Sequence, residues 1–60
     1  MTYQDLIRAG IEIQCQVVLC YYDYIKDMRV PITRDEAQNH EIKYIYVEDD
    51  TLYIELEVEL

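Results

Sequence analysis

The chain is expected to fold as α+β: a short N-terminal helix packed on a three- or four-stranded, mainly antiparallel sheet that ends in a C-terminal β-hairpin. Three observations predict this. Residues 2–10 carry helix punctuation at both ends. Residues 11–22 alternate with a period of two, the mark of a strand. Residues 52–60 alternate in the same way, and a second strand-like run, 41–47, precedes them across an acidic turn.

In the helix, the Thr2 hydroxyl can accept from an early backbone N–H, and Asp5 sits three residues on, where a carboxylate suits the N-terminal dipole. Tyr3, Leu6 and Ile7 form an i, i+3, i+4 stripe. Gly10 stands where a left-handed C-cap residue is expected. So short a helix holds only by packing its stripe on a sheet.

Residues 11–22 read as one long strand. Ile11, Ile13, Cys15, Val17, Leu19 and Tyr21 share one face. Glu12, Gln14, Gln16, Val18, Cys20 and Tyr22 share the other, which begins polar and ends apolar. Two explanations stay open: a bulge near Gln16–Val18 that switches faces, or a partner that covers the second face. A turn follows around Lys26–Asp27, then a short strand from Met28 to Ile32, kept at an edge because Pro31 has no N–H to donate. Thr33-Arg-Asp-Glu36 is a second capping box that opens at most one turn of helix, so 33–40 reads as a connection.

Residues 41–47 and 52–60 form the hairpin, with Asp49-Asp50 as its turn. A two-residue loop sets Val47 against Leu52, Ile45 against Ile54 and Lys43 against Leu56. On the reverse face Tyr46 meets Tyr53, Tyr44 meets Glu55 and Ile42 meets Glu57. The helix should cover the face carrying Ile13, Cys15, Val17, Ile45, Ile54 and Leu56. The other face should present Glu12, Tyr44, Tyr53, Glu55, Glu57 and Glu59 to solvent or a partner.

Sixty residues make a single domain, 1–60, with 52% hydrophobic residues but no Phe or Trp. Its core must rest on Ile, Val, Leu and Tyr, and such a small domain is only marginally stable alone. One Gly and one Pro argue against disorder. Cys15 and Cys20 lie on opposite faces of a continuous strand, with Cα atoms ~16 Å apart. A disulfide needs them within ~7 Å, so both are expected to be reduced. With a polar N-terminus that starts a helix, no secretion signal is expected, and no apolar run approaches the ~20 residues of a membrane span. A cytoplasmic setting is expected, in a bacterial host given the resemblance below.

The residues offer little chemistry. His40 is the single histidine, in a polar connection. There is no Ser, and Thr2, Thr33 and Thr51 are placed as caps or turn residues. Two Cys outside a C-x-x-C pattern and one His do not make a closed zinc site. Glu48-Asp49-Asp50 lacks the glycine and ligand spacing of a calcium loop, and no glycine-rich phosphate cradle exists. No catalytic residue, metal or cofactor is therefore expected, and the chain is read as a non-enzyme.

What remains is charge: 13 acidic residues against 5 basic, net −8. This balance disfavours nucleic acid and anionic membranes and favours basic partners. Six of the seven tyrosines fall in or beside expected strands, where they serve as core aromatics, as interface residues, or as both. The candidate partner contacts are Glu12, Tyr44, Tyr53, Glu55, Glu57 and Glu59, with Glu48, Asp49 and Asp50 at the turn.

The runs Asp5-Leu-Ile-Arg-Ala-Gly-Ile-Glu-Ile-Gln14, Tyr44-Ile-Tyr-Val-Glu-Asp-Asp50 and Leu52-Tyr-Ile-Glu-Leu56 resemble a loose group of short acidic accessory proteins. These are encoded by phages, plasmids and integrative elements of gut bacteria. The resemblance implies a genomic setting in which inhibitors of bacterial immunity occur, and it carries no functional residue with it. Two expectations follow. The first is an acidic inhibitor of a nucleic-acid-binding defence protein, such as a CRISPR effector, whose carboxylates replace phosphates. The second is a self-associating structural or regulatory protein, a homodimer, motivated by Val18, Cys20 and Tyr22 on the second strand face.

Overall fold

Residues 1–11 and 13–59 are described by a computed structural model. Helix α1 runs from Tyr3 to Arg8, and its start is the expected capping box. Thr2 Oγ1 accepts from the Asp5 N–H at 3.2 Å, and the Asp5 carboxylate accepts from the Thr2 N–H at 3.0 Å. Those bonds hold the Asp5 carboxyl below its usual range. Gly10 ends the helix at φ 71°, with its N–H on the Ile7 carbonyl at 3.0 Å. Tyr3 is buried and Leu6 half-buried, whereas Ile7, the third member of the stripe, is 45% exposed.

Four strands form one sheet: β1 Gln16–Asp23, β2 Met28–Pro31, β3 Ile42–Glu48 and β4 Thr51–Leu56. Their spatial order is β2-β1-β4-β3. The β1–β2 and β3–β4 pairings are antiparallel hairpins, and the central β1–β4 pairing is parallel. The α+β expectation therefore holds: the sheet is mainly antiparallel, with one parallel pairing at its centre. The one-turn helix α2, Arg34–Ala37, lies in the crossing from β2 to β3. It starts on Thr33, whose hydroxyl accepts from the Glu36 N–H. Pro31 stands at the end of edge strand β2.

The long strand expected over 11–22 is shorter. It begins at Gln16, whose neighbour Thr51 follows directly on the β3–β4 turn. Among the described residues that precede it, 11 and 13–15, none pairs with a strand, and a segment without a neighbour has no ladder to join. The β1–β2 turn spans 24–27, with Asp27 at φ 53°. Buried Asp23 shapes it by accepting the N–H groups of Ile25 and Lys26 at 2.9 and 3.1 Å.

In the C-terminal hairpin the expected register holds from Glu48–Thr51 to Tyr44–Glu55. A bulge between Ile42 and Tyr44 then pairs Ile42 with Leu56, and not with Glu57. The reason is chemical. A regular register would aim Lys43 into the core and Ile42 into water. The extra residue exchanges them. β4 pairs only as far as Leu56, so the acidic row expected along 52–60 does not form one strand face.

The core joins Tyr3, Ala37, Ile54 and Leu56, with Leu6, Val17, Leu19, Ile32, Ile42 and Leu52 packed around them. Of the residues expected beneath the helix, Val17, Ile54 and Leu56 take that place. Cys15 is exposed, Ile13 half-buried and Ile45 50% exposed. A six-residue helix is only ~9 Å long; it starts beside the Ile42 end of β3, where the Ile42 N–H donates to the Met1 carbonyl at 2.8 Å, and it leaves Ile45 uncovered.

Candidate partner-binding surface

The sheet face turned away from the helix carries Val18, Cys20 and Tyr22 of β1, Tyr53 and Glu55 of β4, and Tyr44 and Tyr46 of β3. The pleat places them together, because each faces opposite to its core neighbour. Tyr46 and Tyr53, cross-strand partners in the register, stack with centroids 5.2 Å apart and planes 10° apart. Tyr22 and Tyr24 meet edge to face at 5.3 Å.

Glu55 lies in the middle of this face and is 4% exposed. This corrects the expectation that it stands in a wet carboxylate row. Arg29 reaches from β2, over β1, to donate from Nε to Glu55 Oε1 at 3.0 Å. The Arg29 guanidinium also lies 5.3 Å from the centre of the Tyr46 ring. Its bond to Glu55 holds Arg29 above its ordinary pKa.

Cys20 is buried beneath, with Sγ 3.8 Å from the Ile54 carbonyl, and burial pushes its thiol upward. The apolar end of the second strand face is thus covered from within the molecule. Neither the bulge near Gln16–Val18 nor an external cover is needed to explain it. Sequence reasoning missed Arg29 and Lys43 as the covering cations. The available signal was that they are the two basic residues lying within strands.

Beyond Leu56, the last paired residue of β4, β1 continues to Asp23, and a cleft of ≈ 400 Å³ opens there. Tyr22, Tyr24 and Lys43 line it together with Glu57, Val58 and Glu59. Lys43 donates to the Tyr24 hydroxyl at 3.2 Å and lies 5.6 Å from the centre of the Tyr44 ring. The Tyr24 bond raises the Lys43 pKa. Tyr22 donates to Asp27, which raises its own pKa.

The remaining candidates separate into two groups. Glu48, Asp49 and Asp50 are exposed at the hairpin tip, where Asp49 and Asp50 have φ of 51° and 60°. Glu57 and Glu59 are exposed at the opposite end. From Asp50 to Glu57 the chain advances about 23 Å at ~3.3 Å per residue. Tyr44 is 57% exposed and Tyr53 half-buried in its stack. Glu12 lies outside the described residues.

Among the described residues no three His, Cys, Asp or Glu side chains come together as metal ligands would, and no helix is long and apolar enough to cross a membrane. No family model, curated protein or solved structure matches the chain.

Proposed function

We propose that this protein is a non-enzymatic interaction protein that binds a basic protein surface through its two acidic ends. In this reading it blocks a positively charged nucleic-acid channel, such as that of a CRISPR effector, in the cytoplasm of a bacterial host. The accessory-protein setting implied by the resemblance belongs to the same proposal.

One observation carries the reading. Net charge is −8, and two of the five basic side chains are engaged by Glu55 and the tyrosines of their own sheet face. Glu48, Asp49, Asp50, Glu57 and Glu59 meet no cation in a salt bridge among the described residues. The outward field is therefore dominated by carboxylates, which steers basic partners and speeds association at low salt. The exposed acids sit at two ends, so a partner has to offer basic groups at two places about 23 Å apart at ~3.3 Å of strand per residue.

The test is capture of binding proteins from lysate of a bacterium with active CRISPR and other defence systems, with low- and high-salt washes. A nucleic-acid-binding protein retained at low salt and released at high salt supports the proposal. Neutralising Asp49→Asn, Asp50→Gly, Glu57→Gln and Glu59→Gln together must abolish that retention. Reversal of Glu55 is unsuitable, because Glu55 is buried. A partner held equally well by wild type and the neutralised variant sinks the electrostatic reading.

A further inference from the structure

The two outer strands of the sheet are protected very unequally. β2 has four residues, ends in Pro31 and carries Arg29, the features that blunt an edge against further pairing. β3 has seven residues, and Tyr44, Ile45 and Val47 on it are 57%, 50% and 68% exposed. Its outer backbone groups follow from the hairpin. Glu48 and Thr51 flank a two-residue turn with positive φ at both positions, so they form a hydrogen-bonded pair. Alternation then bonds Tyr46 and Tyr44 to β4 and leaves the N–H and C=O of Ile45 and Val47 pointing outward.

We infer that the open β3 edge pairs antiparallel with the β3 of a second copy, in a symmetric dimer centred on Ile45. The register is self-selecting. At its start the edge is already taken, because the Ile42 N–H donates to the Met1 carbonyl at 2.8 Å and Thr2 bridges Glu41. The open stretch begins at Lys43, and pairing Ile45 with itself aligns residues 43–47 with their copies. It also sets outward-pointing groups against each other, as a hydrogen-bonded pair requires. Ile45 then meets Ile45 on the helix side, and Tyr44 meets Tyr46 of the second copy on the tyrosine side.

Charge supports this occupant. The bulge has turned Lys43 onto the tyrosine side, where it contacts Tyr24 and Tyr44. Antiparallel pairing brings Glu48 of the second copy to the same end, and symmetry repeats the contact. An edge of this size makes an interface at the small, transient end of the range. Two chains of −8 also repel, so added salt strengthens the dimer. Association with a basic partner responds to salt in the opposite sense. The dimer holds or fails independently of the function proposed above.

Sedimentation between about 10 µM and about 1 mM protein covers the weak-association range, at low salt and at about 500 mM NaCl. Amide exchange of the same samples locates the interface. The expected result is a monomer–dimer equilibrium that shifts toward dimer with salt. Protection should rise with concentration at Ile45 and Val47. Val47→Pro removes an outward N–H without touching the β4 ladder, and should leave far-UV circular dichroism intact and the protein monomeric. Lys43→Glu should weaken association about tenfold, and adding Glu48→Lys should restore it. A monomer under all conditions overturns the inference. So does a dimer that leaves Ile45 and Val47 unprotected, or one that the charge swap does not rescue.

Discussion

The Arg29–Glu55 pair is unequal, and the inequality makes a sharp prediction. The Glu55 side chain is 5% exposed, while that of Arg29 is 56% exposed. Arg29→Met removes the donor and leaves a carboxylate out of reach of bulk water. An unpaired group in that position costs about 1–3 kcal/mol, more when charged. Loss of a partner from a fully buried pair costs ~3–5 kcal/mol. Water reaches the Arg29 side of this pair, so we expect about 2 kcal/mol, all of it borne by Glu55.

Glu55→Met does the reverse. It removes the buried charge, fills the space with an apolar chain of similar length, and returns Arg29 to water, where a guanidinium is already half hydrated. Its effect should stay within about 1 kcal/mol, and the double variant should match it. For a domain of this size ~2 kcal/mol corresponds to ~8–16 °C in Tm. Thermal and urea unfolding of the three variants, followed by circular dichroism, measure the difference. A Glu55→Met variant less stable than Arg29→Met would refute the reasoning, because it would mean that the carboxylate is a net source of stability.

Asp49→Asn with Asp50→Gly suits the positive-φ turn better than two aspartates do, and should stabilise the fold by about 1 kcal/mol in urea melts while weakening any basic partner. Ile54→Ala, at 0% exposure, should cost about 2–5 kcal/mol and leave the protein largely unfolded at ambient temperature. A thiol reagent should modify exposed Cys15 rapidly and buried Cys20 only as the fold opens, so two well-separated rates are expected. Burial raises Cys20 and Tyr46 above their ordinary 9.0 and 10.0, and the Tyr24 bond raises Lys43 above 10.5. Their contributions are complete below those ordinary values and fade as pH rises through the folded ones. Asp5 is shifted below 3.8, so its contribution is complete above that value and is lost as pH falls through the folded one. Urea midpoints across pH should therefore form a plateau that falls at both ends.

The features legible in the sequence were those set by neighbours along the chain. Thr2, Asp5 and Gly10 mark α1 because capping involves residues within a few positions. Pro31 marks an edge because it lacks an N–H. The hairpin register from Tyr44 to Glu55 follows from turn length alone. What failed depended on partners distant in sequence. The start of β1 is set by where β4 begins, more than thirty positions on, as the pairing of Gln16 with Thr51 shows. The bulge at Lys43 settles a conflict between register and polarity that neither strand displays alone. Alternation correctly put Glu55 on the face opposite Ile54, but it could not show that Arg29 would cover that face.

The parallel seam between β1 and β4 has a kinetic consequence. Each hairpin closes a short loop and can form within ~1–10 µs. The seam closes no short loop: its partners are 35 positions apart by subtraction, from Gln16 to Thr51. Its closure entropy is paid only when two preformed halves dock. Docking is therefore expected to be the last step of folding, and separation of the halves the first step of unfolding. Cys20 lies on that joint, with its sulfur against the Ile54 carbonyl of the opposite half. The labelling rate of the Cys20 thiol should then report how often the two halves part, a clock set at the boundary between them.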